Sequence, residues 1–559
     1  MLQPEVSSLP DQLAPLAVLA RVKDGAAPYF LSLRHDADPH IAVGAWCALL
    51  AARQLANRSD LWEELIAMCR YGAVRSRAFE FFEHQVDDHD LARRVALIEA
   101  PSRSDALDDG MRATLAFDAV RGTRSHSDAY LATGDLGWLD RALGMADVQG
   151  GWRVSLPWAL RMIVISPMSS SFHQRTLSML SDASQVDLLA AYGQVLRSLG
   201  LFGEIGTLFN AAADLYRGEP RSCFDTVAPL LAKPTPPGSP LVPYRGTMLA
   251  LRAEADEKLG RYREAFAGYL SVKASAPPPT VDPESFFSGA AHHAKLDIPS
   301  LPAEGRRDIV QMLGFPRSGT TLLENILDSH PMIETFEEIP SYKAAMDMAS
   351  AYLTGQRPAP LQPEDVSIAA RAKYYEELDI RRRKPQASVL VDKLPIRTSE
   401  AQLMRRLFPD WRFIFSIRHP YDVVLSCLKQ RFAPNPAMDN LRTFEGAVRI
   451  YDYTMTQWFN EHTMEDTSVH YVRYHELVTD FERVVSGVLD FLGLAWDDSV
   501  REFAERAADR QALTPSYQKV RKGLSIGVQT HWRNYGFVFQ TDAAKPLRKW
   551  AEFFGYDTQ

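Results

Sequence analysis

The segment at residues 311–330, QMLGFPRSGTTLLENILDSH, constrains the fold more than any other part of the chain. Residues 309–313 form a short apolar run typical of a buried strand, and apolar residues recur at helical spacing from Leu322 to Leu327. A glycine-containing loop joins the two. A strand, a glycine loop and a helix start predict an anion-binding cradle, because free N–H groups and the positive helix end point at the bound group.

The loop nearly matches the phosphate-binding motif G-x-x-x-x-G-K-[ST], with Gly314 and Gly319 as its two glycines. Thr320 occupies the place of the lysine that reaches the terminal phosphates of a nucleoside triphosphate. Arg317 brings the positive charge into the loop instead. The sequence therefore favours an anion other than a magnesium–nucleoside triphosphate. An ordinary glycine-containing turn between a strand and a helix is the structural alternative.

Composition limits the protein class. A chain of 559 residues is too long for one hydrophobic core, so two or three domains are expected. The net charge of −8 argues against a general nucleic-acid binder. The four cysteines are scattered and form no disulfide framework, which fits a reducing compartment. Neither a signal peptide nor an apolar run of about 18 residues is visible, so we expect a soluble cytoplasmic protein without a membrane span.

Residues 1–276 are rich in Ala, Leu and Arg and predict an all-α domain. The segments that begin at Leu259-Gly260 and Leu199-Gly200 carry apolar or small residues at matching offsets. This pattern resembles tetratricopeptide repeats, in which a small residue lets paired helices pack closely. A non-repetitive helical domain is the alternative.

Residues 277–307, which open with three prolines, form the predicted linker, and residues 308–559 form the second domain. Strand and helix patterns alternate there, which predicts an α/β domain with an open, mostly parallel sheet. Such sheets bind ligands at the carboxyl ends of their strands. The predicted strands are 309–313, 388–391, 412–417 and 469–473, and the predicted helices are 320–329, 398–407, 421–431 and 479–492.

A second candidate anion site lies at the end of the predicted strand 412–417. Arg418 follows this strand, Pro420 is well placed to start a helix, and Ser426 lies in that helix. A guanidinium and a hydroxyl at this position could share one phosphate group.

Together with the glycine loop, this pair resembles the sulfotransferase superfamily, which uses 3'-phosphoadenosine-5'-phosphosulfate (PAPS) as donor. The resemblance implies that Arg418 and Ser426 hold the 3'-phosphate of the donor. It also implies a P-loop-like α/β fold and a 5'-phosphosulfate loop made of Pro316, Arg317, Ser318, Gly319, Thr320 and Thr321.

The C-terminal region extends the resemblance, which covers roughly residues 308–535. Arg521-Lys522-Gly523 is similar to the basic triplet that clamps the 3'-phosphate in cytosolic sulfotransferases. The Pro-Ser-Tyr-Gln stretch at 515–518 and Trp-Arg-Asn-Tyr at 532–535 resemble the tyrosylprotein sulfotransferases.

The resemblance also implies catalytic roles. Glu338, the second of two paired glutamates, matches the general base, and Glu337 matches a supporting residue. Lys393 precedes x-Pro and matches the lysine at the leaving group, although Leu394 stands where the tyrosylprotein enzymes have Asp. Arg317 should contact the phosphosulfate and the acceptor oxygen. The resemblance places Tyr474 near the donor nucleotide.

The sequence thus predicts a PAPS-dependent sulfotransferase that needs no metal. The acceptor is a hydroxyl, with peptide tyrosine slightly favoured over a saccharide or small molecule. The helical domain is expected to recruit the acceptor or a protein partner. The alternatives are a non-catalytic helical-repeat scaffold with a vestigial nucleotide site, and a P-loop kinase, which Thr320 disfavours.

Overall fold

The computed structural model of the chain describes residues 10, 12–13, 140–143, 152–165, 169–199, 203–296, 298–303, 305–353, 362–503 and 531–558. The chain divides into two compact units, Met1–Leu259 and Gly260–Gln559.

The described part of the first unit is helical, as the sequence predicts. Neighbouring helices pack along the chain. Helices α3 and α4 approach so closely at Gly193 that a Cβ there would lie 2.6 Å from the Gly206 carbonyl oxygen. The tetratricopeptide character of this region stays a prediction. The helices are α1 (Trp152–Ile165), α2 (Ser170–Asp182), α3 (Val186–Leu199), α4 (Gly203–Arg217), α5 (Pro220–Ala232) and α6 (Arg245–Lys258).

The second unit contains a five-stranded parallel sheet, which confirms the predicted α/β fold. The strand order is β2-β3-β1-β4-β5, and all four pairings are parallel. Four strands correspond to predicted ones, whereas the edge strand β2 was not predicted. The strands are β1 (Ile309–Gly314), β2 (Ile333–Glu337), β3 (Val389–Lys393), β4 (Arg412–Ile417) and β5 (Val469–Arg473).

Helices cover both faces of the sheet, and this explains why β1 reads as an apolar run interrupted only at Gln311. Leu313 and Phe415 belong to the core on one face, while Val310 and Ile414 belong to the core on the other. The helices are α7 (Tyr262–Ala274), α8 (Ser285–Lys295), α9 (Thr320–Ser329), α10 (Ser341–Leu353), α11 (Pro363–Asp379), α12 (Ala401–Leu407), α13 (Pro420–Lys429), α14 (Pro436–Asp439), α15 (Phe444–Glu461), α16 (Tyr474–Thr479), α17 (Phe481–Leu492), α18 (Gly536–Phe539) and α19 (Lys545–Phe553).

Helix α7 lies within the second compact unit, although the sequence places it in the helical domain that was predicted to end at residue 276. The second unit begins at Gly260, because α7 packs against α13 and against the 3-10 helix His531–Tyr535. The linker and the functional division of the chain stay predictions.

Candidate functional site

Residues 314–319 lead from the last residue of β1 to α9, and this segment, called the donor loop after its predicted role, contains three residues with positive φ. These are Gly314 at 147°, Arg317 at 73° and Gly319 at 103°. A side chain at position 319 would also clash, since its Cβ would lie 2.4 Å from Cδ2 of Tyr474. A non-glycine residue in the left-handed region costs of order 1–3 kcal/mol, so the surrounding structure must hold Arg317 in place.

Hydrogen bonds from the segment that follows β3 fix the start of this loop. The Thr398 hydroxyl accepts a hydrogen bond from the Gly314 N–H at 3.0 Å and donates one to the Gly314 carbonyl oxygen at 2.7 Å. Thr398 lies in the 3-10 helix Pro395–Glu400, directly after the strand that carries Lys393. Thr398, which fixes the start of the donor loop, therefore lies in the segment that directly follows the strand of the predicted catalytic lysine.

The residues predicted to bind the 5'-phosphosulfate lie together at the start of α9. Thr320 and Thr321 are its first two residues and are buried, as is Ser318, while Pro316 is half-buried. The first N–H groups of a helix have no partner within the helix, so they are available to an anion. The buried Ser318 hydroxyl has no hydrogen-bond partner among the described residues, which fits a role as a donor to bound ligand.

The two predicted anion sites are joined. Nε of Arg317, in the loop, donates to the Ser426 hydroxyl at 3.0 Å, and Nη1 of Arg418 donates to the Arg317 carbonyl oxygen at 3.3 Å. Burial, with the nearby Arg418 charge, lowers the pKa of Arg317. Two guanidinium groups therefore converge at one edge of the sheet, where an anion with two charged ends would offset their repulsion.

Arg418 is largely buried and lies over an aromatic ring. Its guanidinium carbon is 4.7 Å from the centre of the Tyr474 ring, and its Nε has no hydrogen-bond partner among the described residues. Nη2 is 4.0 Å from Asp422, whose pKa burial raises to about 6, against the lowering effect of Arg418. Arg418 thus keeps hydrogen-bonding capacity for a phosphate, and Tyr474 lies beside it, while the predicted place of Tyr474 near the donor nucleotide stays a prediction.

The predicted catalytic lysine lies at the carboxyl end of β3 and is completely buried. Its Nζ is 3.1 Å from Glu324, 3.3 Å from Glu337 and 3.2 Å from Glu338. Burial alone would lower the pKa of Lys393, but these three carboxylates together raise it well above the ordinary lysine value. Lys393 is therefore a cation at neutral pH.

Glu338 differs from its neighbours in being open to solvent. Its side chain is 40% exposed, against 9% for Glu337 and 3% for Glu324. Its φ is 51°, and its N–H donates to the Lys393 carbonyl oxygen at 2.8 Å, one residue beyond the end of β2. This geometry leaves the Glu338 carboxylate open to solvent while Glu337 stays inside.

The C-terminal motif is described in part. Arg521, Lys522 and Gly523 lie outside the described residues, so their predicted role stays a prediction. The Trp532 N–H donates to Asp422 at 3.2 Å, and the Trp532 ring lies 4.8 Å from that of His419. The Trp-Arg-Asn-Tyr element therefore packs against the beginning of the helix that carries Ser426.

Sequence reasoning missed Glu324, the closest carboxylate to Lys393. A signal existed: Glu324 lies in a helix whose apolar pattern predicts burial, and a buried carboxylate requires a cation or hydrogen-bond donors. Thr398 and His419 were also missed. His419 accepts a hydrogen bond from the Tyr421 N–H at 3.2 Å and so caps α13, and nothing in its sequence context distinguishes this role.

The site combines the side chains that are required to transfer a chemical group to a hydroxyl. It has an anion loop, a second cationic site, a solvent-facing carboxylate and a buried ammonium group within 3.3 Å of that carboxylate. Within the described residues, no cluster of three or more potential metal ligands occurs.

The region that carries this site is similar to known proteins. Residues 310–498 match the model of the sulfotransferase family. An uncharacterized protein of Aquifex aeolicus is 29% identical over 236 residues, which are 40% of this chain and 30% of that protein. Protein-tyrosine sulfotransferase 2 of Gallus gallus is 26% identical over 202 residues, which are 34% of this chain and 53% of that protein. The chain thus spans about half or less of the length of these curated relatives.

Among solved structures, the sulfotransferase domain of the Synechococcus PCC 7002 olefin synthase is 22% identical, with a TM-score of 0.35. The match covers 46% of this chain and 98% of that domain. In the described parts of the chain, no helix has the length and apolar character needed to cross a membrane.

Proposed function

Because residues 310–498 match the model of the sulfotransferase family, we propose that this chain transfers the sulfuryl group of PAPS to an acceptor hydroxyl. The observation that carries the proposal is the joined pair of anion sites, in which Arg317 contacts Ser426 while Arg418 contacts Arg317. PAPS carries a 5'-phosphosulfate and a 3'-phosphate, so its recognition needs two such sites, whereas ATP needs only one.

The proposed reaction assigns a task to each group. The Glu338 carboxylate accepts the proton of the acceptor hydroxyl, whose oxygen forms a bond to sulfur. The bond between sulfur and the bridging oxygen of the phosphosulfate breaks, and adenosine 3',5'-bisphosphate leaves. The Lys393 ammonium group and Arg317 stabilise the charge that develops on the leaving oxygen and on the sulfonate.

The acceptor class rests on weaker support. The paired glutamates and the likeness to a protein named protein-tyrosine sulfotransferase favour a tyrosine hydroxyl in a peptide. Leu394 departs from the tyrosylprotein pattern, so a saccharide or small-molecule hydroxyl is the second candidate.

A groove in the first unit supports a role of the helical region in recruiting the acceptor. It has a volume of about 620 Å³ and lies between α3, α4 and α5. Arg197, Arg217 and Asp214 line it together with the amides of Gln194 and Asn210. Such side chains can pair with the backbone and charges of a polypeptide.

Replacing Arg197 by alanine should raise KM for a polypeptide acceptor but not for a small phenol. Arg221, which is exposed and is not among the lining residues, serves as the control.

The donor and the acceptor are tested separately. In the first experiment, adenosine 3',5'-bisphosphate and ATP are titrated against the protein. Tighter binding of ATP would refute the donor assignment and favour the kinase alternative.

In the second experiment, transfer of label from radiolabelled PAPS is measured with a tyrosine peptide, its phenylalanine counterpart and an oligosaccharide. Label in the tyrosine peptide alone supports peptide sulfation, and bisphosphate binding without transfer to any acceptor would favour the scaffold alternative.

A further inference from the structure

Helix α7 lies outside the family-matched region but packs against the donor site. The Tyr262 ring is 5.4 Å from that of Tyr535, and the Phe266 ring is 6.2 Å from that of Phe444. Nζ of Lys429, the last residue of α13, lies 5.5 Å from the centre of the Tyr269 ring. Successive residues along α7 therefore face α13, the start of α15 and the 3-10 helix His531–Tyr535.

The last contact in this series is made by a buried lysine. Lys273 is 8% exposed, and its Nζ donates to the Cys427 carbonyl oxygen at 3.1 Å and also to the Gln430 carbonyl oxygen. These carbonyls lie in the last turn and at the end of α13, where the helix dipole favours a cation, and the Cys427 carbonyl oxygen also accepts from the Gln430 N–H at 3.2 Å. Lys273 thus supplies the C-terminal cap of α13 from a separate helix.

The same turn of α13 contacts the donor loop on its other side. The Ser426 hydroxyl accepts from Nε of Arg317 at 3.0 Å, and the Cys427 thiol donates to the Pro316 carbonyl oxygen at 3.5 Å. A chain of contacts therefore runs from Lys273 through the end of α13 to the two loop residues that precede Ser318.

Burial of this lysine has an energetic cost. Desolvation lowers the pKa of Lys273 to about 8, since the two carbonyl oxygens compensate only in part for lost hydration. A hydrocarbon side chain would fill the same space without that cost. The hydrogen bonds of the ammonium group to the two carbonyl oxygens must therefore account for a lysine at this position.

We propose that Lys273 is a positioning residue of the donor site, which fixes the end of α13 so that Ser426 and Arg317 hold the donor. This inference rests on the proposed function. It assigns to α7, a helix before the family-matched region, a direct part in donor binding.

The test measures the Kd of adenosine 3',5'-bisphosphate for full-length variants. Lys273→Met should raise Kd at least tenfold, because it releases the end of α13, and Lys273→Arg should restore Kd to within about threefold, because it can still donate to both carbonyls. Lys258→Met is the matched control. Nζ of Lys258 donates to the Leu215 carbonyl oxygen at 2.9 Å near the end of α4 in the first unit, so the same kind of contact is lost away from the donor site.

Phe266→Leu separates positioning from simple loss of stability, because it weakens the packing of α7 without touching the carbonyls of α13. At temperatures where circular dichroism shows both variants folded, Phe266→Leu should keep the wild-type Kd. An unchanged Kd in Lys273→Met, or an equal rise in Phe266→Leu, would overturn the inference while leaving the donor assignment intact. Failure of the wild-type protein to bind the bisphosphate would instead refute the donor assignment and, with it, the role of Lys273.

Discussion

Replacement of Lys393 by methionine probes the ion cluster at the centre of the site. The side chain is completely buried and lies within 3.3 Å of three carboxylates, of which Glu324 and Glu337 are almost fully enclosed. Methionine fills a similar volume but leaves these carboxylates without their cation. Breaking a buried ion pair by removal of one partner costs about 3–5 kcal/mol, so we expect a loss of this size in the free energy of unfolding.

The loss should depend on pH in a defined direction. In the wild type the pKa of Lys393 is raised, so its stabilising contribution is complete below the unfolded lysine pKa and is lost only as the pH rises through the still higher folded pKa. In the variant, burial without a cation raises the pKa of the Glu324 carboxyl, and the cost of its charge falls as it takes up a proton. The stability difference between the two proteins should therefore shrink from pH 8 to pH 5.

Urea unfolding, followed by circular dichroism at both pH values, measures these differences, and PAPS-dependent transfer measures activity. The double variant Lys393→Met/Glu324→Gln should regain about 1–3 kcal/mol without regaining activity, because it removes the buried charge but not the need for a cation at the leaving group. Lys343→Met is the control, since its ion pair with Asp347 is exposed and should contribute less than about 0.5 kcal/mol. A Lys393→Met protein as stable as the wild type at pH 8, or a double variant no more stable than the single one, would refute this reasoning.

Three further outcomes are expected. Glu338→Gln should lower kcat about 10²–10⁴-fold with little change in donor affinity, whereas equal kcat values in a direct transfer assay would exclude Glu338 as the base. Gly319→Ala should abolish bisphosphate binding, because its Cβ would meet Tyr474, and calorimetry should show partial recovery when Tyr474→Ala is added. Arg418→Met should raise the Kd of adenosine 3',5'-bisphosphate far more than that of adenosine 5'-phosphate, and a parallel rise for both ligands would contradict its assignment to the 3'-phosphate.

The central strands could be predicted from sequence because both faces of the sheet are covered, so β1, β3 and β4 read as apolar runs bounded by polar residues. Strand β2, at the edge of the sheet, escaped prediction since its sequence, IETFE, contains only two apolar residues and neither alternates strictly nor forms an apolar run. The donor loop and Arg418 could be singled out as candidates from sequence because their residue types and spacing are typical of anion binding.

Other features depend on which segments meet in space. The sequence of α7 shows an amphipathic helix but not the unit on which it packs, so Lys273 gave no signal of its contact with α13. Similarly, Glu324 and Glu337 are both far from Lys393 in sequence, and the parallel pairing of β2 with β3 brings Glu337 beside Lys393. Local patterns predict elements, whereas the partners of buried charges follow from topology.

Every residue of α9, from Thr320 to Ser329, is buried. This has a consequence for engineering, because the donor loop is continuous with a helix that has no solvent-facing side on which substitutions are neutral. A library in this helix will select for packing before it selects for donor preference, since volume changes in a closely packed interior are destabilising. Variation meant to alter acceptor preference should therefore leave Glu338, the proposed base, unchanged and be directed to the exposed surface around it, where sequence can change without the core being rebuilt.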